Sequence, residues 1–202
     1  MGIFGRKNSS ESPETATGAV NPDLAALSGE YTLDPAHTTI GFVARHAMVT
    51  NVKGKFTDFT GTLYLDGAEP TKSTASLDVT MDSIDTGSPD RDGHLKSADF
   101  FKTDEFPTMT FRSTSAEALG GDDYRITGDL TILGVTKPLT IDLEFNGAVT
   151  DSFGAHRVGF EGTAQIERST WGLTWNRAME TGGVLVSDKI KLAFDISAIK
   201  QA

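Results

Sequence analysis

Residues 88–99 read SPDRDGHLKSAD and gather Asp90, Asp92, His94 and Asp99 into one short segment. Carboxylates at this spacing raise two kinds of chemistry: cation binding, and acid–base work around the histidine. As a calcium loop the segment has Asp90 and Asp92 at the third and fifth places, Gly93 at the sixth and Asp99 at the twelfth. It fails where the ion needs most. The first place is Ser88, Pro89 follows it, and the twelfth is Asp, too short for the bidentate grip of Glu. His94 with Asp90 and Asp92 is a thin zinc set. The chain has no cysteine, which removes thiolate metal sites, disulfides and a thiol nucleophile. No G-x-S-x-G elbow, phosphate loop or dinucleotide fingerprint occurs. His37, His46, His94 and His156 are scattered, and scatter alone does not make a catalytic triad. No metal site and no required cofactor are expected.

The same segment reads more simply as a helical connection. Ser88 can cap, Pro89 suits the first helical position, and Asp90 and Asp92 favour the first turn. Leu95, Phe100 and Phe101 would then face inward, with Arg91 and Asp92 as polar clasps. The segment becomes a lid over one end of whatever the strands build.

Those strands dominate from Tyr31 onward, where the hydrophobic period is two. Ile40, Phe42, Ala44 and His46 share one face of 39–46. Similar alternation marks 73–82, 124–132, 139–146, 157–167 and 189–196. Segments 54–66 and 108–117 also fit, and the opposite parity of Phe56 and Phe59 implies a bulge. Turn signals fall at Asp66-Gly67, Gly120-Gly121-Asp122, Lys137-Pro138 and Asn146-Gly147. About eight one-sided strands with short turns imply an all-β, antiparallel sheet that closes on itself, with a two-sheet sandwich as the alternative. Residues 1–30 are expected to form a flexible tail, with a short helix started by Asn21 and Pro22 and ended by Gly29; residues 31–202 form the folded domain.

The interior admits two readings. Ala44, Ala75, Gly128, Gly162 and Ala164 on the apolar faces either offset the bulk of Phe42, Phe111, Phe160 and Phe194, or leave a greasy cavity. His46 is either a satisfied strand-end histidine or a polar tip inside that cavity. Trp171, Leu173 and Trp175 in RSTWGLTWN either pack a strand end or form an aromatic wall.

Charge narrows the partners. With 202 residues and a formal net charge of −10, −8 of it in 31–202, the surface repels nucleic acid and anionic membranes. No apolar run approaches a membrane span, so no stable membrane insertion is expected. The start, MGIFGRKNSSESPETATGAV, lacks the apolar stretch of a signal peptide, so a cytoplasmic location is expected.

Four segments in order resemble the YceI-like family of lipid-binding, lipocalin-like barrels. They are YTLDPAHTTIGFVARHAMVTNVKGKFTDFTGTL at 31–63, SIDTGSPDRDGHLKSADFFKTDEFPTMTF at 83–111, GDLTILGVTKPLTIDLEF at 128–145, and ERSTWGLTWN with VSDKIKLAFDI across 167–196. The family's F-x-x-x-H element falls on Phe42 and His46, its D-x-H-L-x-S-x-D-F-F element on Asp92 to Phe101, and its R-x-x-W-G element on Arg168 to Gly172. The resemblance implies an eight-stranded antiparallel lipocalin-like barrel that carries or senses a long amphiphile: a polyprenyl chain, an isoprenoid quinone or a fatty amide. Many members are exported, and the N-terminus here departs from that.

Together the pattern and the resemblance mark Phe42, His46, Phe59, Met81, Ile84, Leu95, Phe101, Phe111, Ile132, Phe160, Trp171 and Trp175 as ligand contacts. The partner is a hydrophobic small molecule, and a homodimer stays open. Two other classes remain. One is a stress-associated interaction protein with a filled barrel. The other is a small hydrolase or isomerase, which needs an acid–base pair in the cavity beside His46.

Overall fold

Alternating apolar and polar positions drive most of the chain into strands, and the turns between them set their order. The computed structural model of the chain describes residues 22–180 and 182–202; residues 1–21 of the expected tail, with the Asn21 cap, lie outside the described residues, whereas 22–30 hold a short helix and the start of a strand. The elements are α1 (Pro22–Ala25), β1 (Gly29–Leu33), β2 (Thr39–His46), β3 (Thr50–Phe56), β4 (Phe59–Leu65), β5 (Thr74–Thr80), β6 (Ile84–Asp85), α2 (Pro89–Lys96), β7 (Thr108–Gly120), β8 (Asp123–Ile132), β9 (Val135–Thr150), β10 (His156–Glu167) and β11 (Val186–Lys200).

All pairings are antiparallel, and they close a ring β1-β4-β5-β7-β8-β9-β10-β11-β1. β2 continues the line of β1: β11 pairs Lys200 with Tyr31 and Asp195 with Thr39. β3 and β4 likewise form one ribbon, as do β5 and β6. The result is an eight-stranded barrel in which three ribbons are each broken once.

The breaks are stitched by hydroxyl groups where the ladder lapses. Thr38 Oγ1 donates to Ser197 O at 3.0 Å and accepts from Ser197 N at 3.0 Å. Thr57 donates from Oγ1 to Ser83 O at 3.1 Å and from N to Ser83 O at 3.2 Å. In place of the expected bulge the strand is interrupted at 57–58, and β3 pairs with β6 while β4 pairs with β5. The interruption lets Phe56 and Phe59 both turn inward, at 7% and 4% exposure.

Four further sequence expectations change. β1 is an additional strand, whose alternation rests on Tyr31 and Leu33 alone. Strand β3 begins before residue 54. Lys137-Pro138 is not a turn: the β8–β9 hairpin turns at Leu133 and Gly134, both at positive φ, and Pro138 pairs with Asp129. Pairing of β10 with β9 begins at Asp142, so Pro138 sits where β9 has only one neighbour and no second ladder needs its N–H. Asn146-Gly147 is a bulge within β9: Gly159 pairs with Gly147 and Phe160 with Phe145, leaving Asn146 as the extra residue.

Each helix covers one end of the barrel. Leu24 and Leu27 bring α1 onto the β4–β5 turn, and Tyr31 Oη donates to Leu27 O at 2.7 Å. Gly67 permits this approach, because a Cβ there would lie 1.7 Å from Leu24 O. At the other end α2 packs beside β6, and Lys96 Nζ meets Asp82 Oδ1 at 3.2 Å. Pro89 opens α2 as expected; the Ser88 side chain makes no capping bond, and Ser88 O accepts from Asp92 N at 2.9 Å.

Candidate functional site: an apolar cavity inside the barrel

The inward side chains do not fill the barrel. They leave a cavity of about 280 Å³, lined almost wholly by apolar groups. Its wall draws on two packed clusters, one through Leu33, Ile40 and Phe56, the other through Phe111, Ile141 and Leu173. It reaches from Leu24, Leu27 and Leu65 under α1 to Leu95, Phe100 and Leu173 under α2.

The small residues divide between the two readings given above. Gly128 and Gly162 are packing devices: a Cβ on Gly128 would sit 2.6 Å from Phe111 Cζ, and one on Gly162 would sit 2.5 Å from Leu143 Cδ2. Ala44 and Ala75 instead line the cavity. Ala164 packs against the second cluster.

Of the twelve residues marked in the sequence, Phe42, Leu95, Phe101, Phe111, Ile132 and Phe160 lie on the cavity wall. Phe59, Met81 and Ile84 do not: they are 4%, 2% and 3% exposed and sit in the solid part of the first cluster. His46 corrects the polar-tip reading. It is exposed at the end of β2, opposite Thr50 and Val186. Strand parity put it on the apolar face, but His46 is the last paired residue of β2 and is exposed to solvent.

The tryptophans also pack rather than line. Trp171 is 4% exposed, and its Nε1 donates to Leu130 O at 3.1 Å. Trp175 lies against the outside of the lid, its ring 5.0 Å from Phe100 and 4.9 Å from His94. His94 Nε2 and Asp99 Oδ2 lie 2.8 Å apart on that surface.

At the α2 end the inner wall carries a charged group that the R-x-x-W-G motif contained without a role: Arg168. It opens the turn Arg168–Trp171, which Gly172 ends at φ +84°. Arg168 is 5% exposed and lines the cavity near Ile166, Leu173, Val186 and Ile190. Nε donates to Ser187 O at 3.0 Å, Nη2 to Val186 O at 3.5 Å, and Nη1 to Leu173 O. Burial pushes the guanidinium pKa down, opposed by the Asp188 charge. The available signal was an arginine one step beyond a strand whose inward residue is Ile166. The other charged groups on the cavity wall, Asp66, Glu117 and Arg125, belong to the α1 end.

An eight-stranded antiparallel barrel closed around an apolar cavity defines the lipocalin-like class, whose interior has room for one small ligand. Within that class, residues 31–198 match the YceI-like domain, and the chain belongs to the YceI-like family. UPF0312 proteins of Staphylococcus aureus strains N315 and USA300 are each 38% identical over 169 residues, spanning 83% of this chain and 95% of theirs. The Campylobacter jejuni YCEI protein superposes with a TM-score of 0.68 at 30% identity, over 78% of this chain and 90% of that one. Burkholderia cenocepacia BcnA gives 0.72 at 23% identity, over 82% and 98%. A polyisoprenoid binding domain from Saccharophagus degradans, implicated in plant cell wall breakdown, gives 0.64 at 16% identity, over 85% and 98%. At their identities the last two speak to the fold alone. Among the described residues no helix is long and apolar enough to cross a membrane.

Proposed function

We propose that the barrel binds a long amphiphile, with a tail such as a polyprenyl chain or the side chain of an isoprenoid quinone, and serves as its carrier or sensor. The cavity carries this reading: about 280 Å³ of apolar-walled space runs between the two helical covers. Apolar surface moved from water into such a space contributes about 25 cal/mol per Å², before ordering costs. The polyisoprenoid binding domain of Saccharophagus degradans, a neighbour in fold, lends the class of ligand.

The arrangement favours binding over catalysis. Arg168 lies at one end and Asp66, Glu117 and Arg125 at the other, and His46 is exposed at the end of β2, so among the described residues no acid–base pair meets beside it in the cavity. The cavity also weighs against a filled barrel that acts only through its surface.

The test is organic extraction of the purified protein followed by mass spectrometry, and uptake of a fluorescent prenyl lipid by the delipidated protein. Co-purified amphiphile or saturable uptake is expected. A barrel that is repeatedly empty and takes up no prenyl lipid overturns the reading.

A further inference from the structure

Charge pairing in this barrel runs against burial. Arg112, Arg125 and Arg157 have side chains 50%, 39% and 23% exposed, and each meets a carboxylate: Asp78, Asp142, and Asp34 with Asp151. Arg168 is 5% exposed, yet among the described residues no carboxylate lies within ion-pair distance of it. Asp188, the acid whose charge it feels, is taken up by Ser169: its carboxylate accepts from Ser169 N at 2.9 Å and Ser169 Oγ at 2.8 Å.

The carbonyls of Leu173, Val186 and Ser187 bond the guanidinium but are neutral, so they do not balance its charge. A guanidinium has five N–H donors in a planar fork. Three bonds to carbonyls leave two donors unused by them, on a side chain that borders the cavity. A buried charge without a counter-charge is costly, and a charge-assisted bond to an anion offsets that cost most strongly in a dry site.

We infer that Arg168 is the head-group anchor of the cavity, and that the barrel takes an acidic amphiphile, carboxylate or phosphate, with its head at the α2 end and its tail toward α1. This rests on the proposed lipid site and specifies its ligand class. The enclosure is suited to it: Leu173 and Ile166 beside Arg168 are 5% and 7% exposed, so water is kept from the ion pair.

The experiment compares matched pairs on the full, delipidated chain at neutral pH: hexadecanoate against hexadecanamide, and farnesyl phosphate against farnesol. At least one acidic member should bind about tenfold or more tightly than its neutral partner. The carboxylate and phosphate arms show which head group fits. Equal binding within both pairs overturns the anchor while leaving the lipid site standing; no binding by any of the four overturns both. Arg168→Gln keeps amide donors and removes the charge. It should collapse the acid preference while neutral members still bind, and a preference that survives overturns the assignment. The wild-type ratios decide the matter even if this variant does not fold.

Discussion

Arg157 donates from Nη1 to Asp34, a carboxylate 123 residues earlier, and so ties β10 to the break between β1 and β2. The same arginine donates from Nε to Asp151 Oδ2 at 2.7 Å, so one side chain holds the β9–β10 turn and the ribbon break together. The Arg157 guanidinium, then His37 at 2.8 Å, holds the Asp34 carboxyl at about 2, below its ordinary 3.8.

A depressed carboxyl pKa stabilises the fold fully above the unfolded value and loses that effect as pH falls through the folded one. Asp34 should therefore contribute at neutral pH and stop contributing near pH 2. Its side chain is 13% exposed at the barrel surface, so after solvent screening the effect is of order 1 kcal/mol. Asp34→Asn should lower unfolding free energy by about that amount at neutral pH, and the gap to wild type should close at about pH 2. Urea melts across the acid range measure it. A gap independent of pH would assign the effect to shape rather than charge.

Trp171→Phe separates packing from binding. The substitution removes the indole N–H bond to Leu130 O and part of a ring that is 4% exposed. A loss of about 1–3 kcal/mol in unfolding free energy is expected. Lipid uptake should be unchanged, because Trp171 is not on the cavity wall. Lost uptake without lost stability would restore the aromatic-wall reading.

Adding volume should have opposite effects at two small residues. On Gly128 a Cβ would lie 2.4 Å from Arg112 O and 2.6 Å from Phe111 Cζ, so Gly128→Ala should destabilise by about 1–3 kcal/mol through overpacking. Ala75 lines the cavity, so Ala75→Leu has space to fill. Its stability should stay level or rise by about 1 kcal/mol, while lipid uptake falls about tenfold. Chemical melts and uptake on the two variants check this. Unimpaired uptake by Ala75→Leu would place the ligand elsewhere.

The barrel was legible in the sequence because period-two alternation survives along much of the strand length, and because the opposite parity of Phe56 and Phe59 marks the interruption between β3 and β4. Three things were not. Lys137-Pro138 looks like a turn in isolation; whether a missing N–H matters depends on which edge of β9 is paired. His46 follows the parity of Phe42 and Ala44, and parity does not say whether the last residue of a strand is covered or meets solvent. Phe59 and Phe111 are alike as inward aromatics, yet only Phe111 borders the cavity. That distinction depends on three-dimensional packing, as does the closeness of Arg168 to three carbonyls that follow it in the chain.

The segment 88–101 should behave as a separately opening lid. Asp92 Oδ1 accepts from Thr86 N at 3.0 Å and from the Thr86 hydroxyl; Arg91 donates from Nε to Thr86 Oγ1 and from Nη2 to Thr86 O, both at 2.7 Å. These clasps sit at the first turn of α2, while Leu95, Phe100 and Phe101 beyond it border the cavity. Asp92→Ala removes two acceptor contacts and the negative charge of the first turn, so the local opening free energy should drop by about 1–2 kcal/mol. Amide exchange across 86–101 should then quicken about tenfold, with β8, β9 and β10 unaffected. If the lid is the ligand's gate, uptake and release should both speed up while affinity changes little, since the clasp itself does not line the cavity. Exchange that quickens equally in every strand would mean that α2 opens only when the barrel unfolds, and a helix that opens only then cannot serve as a gate.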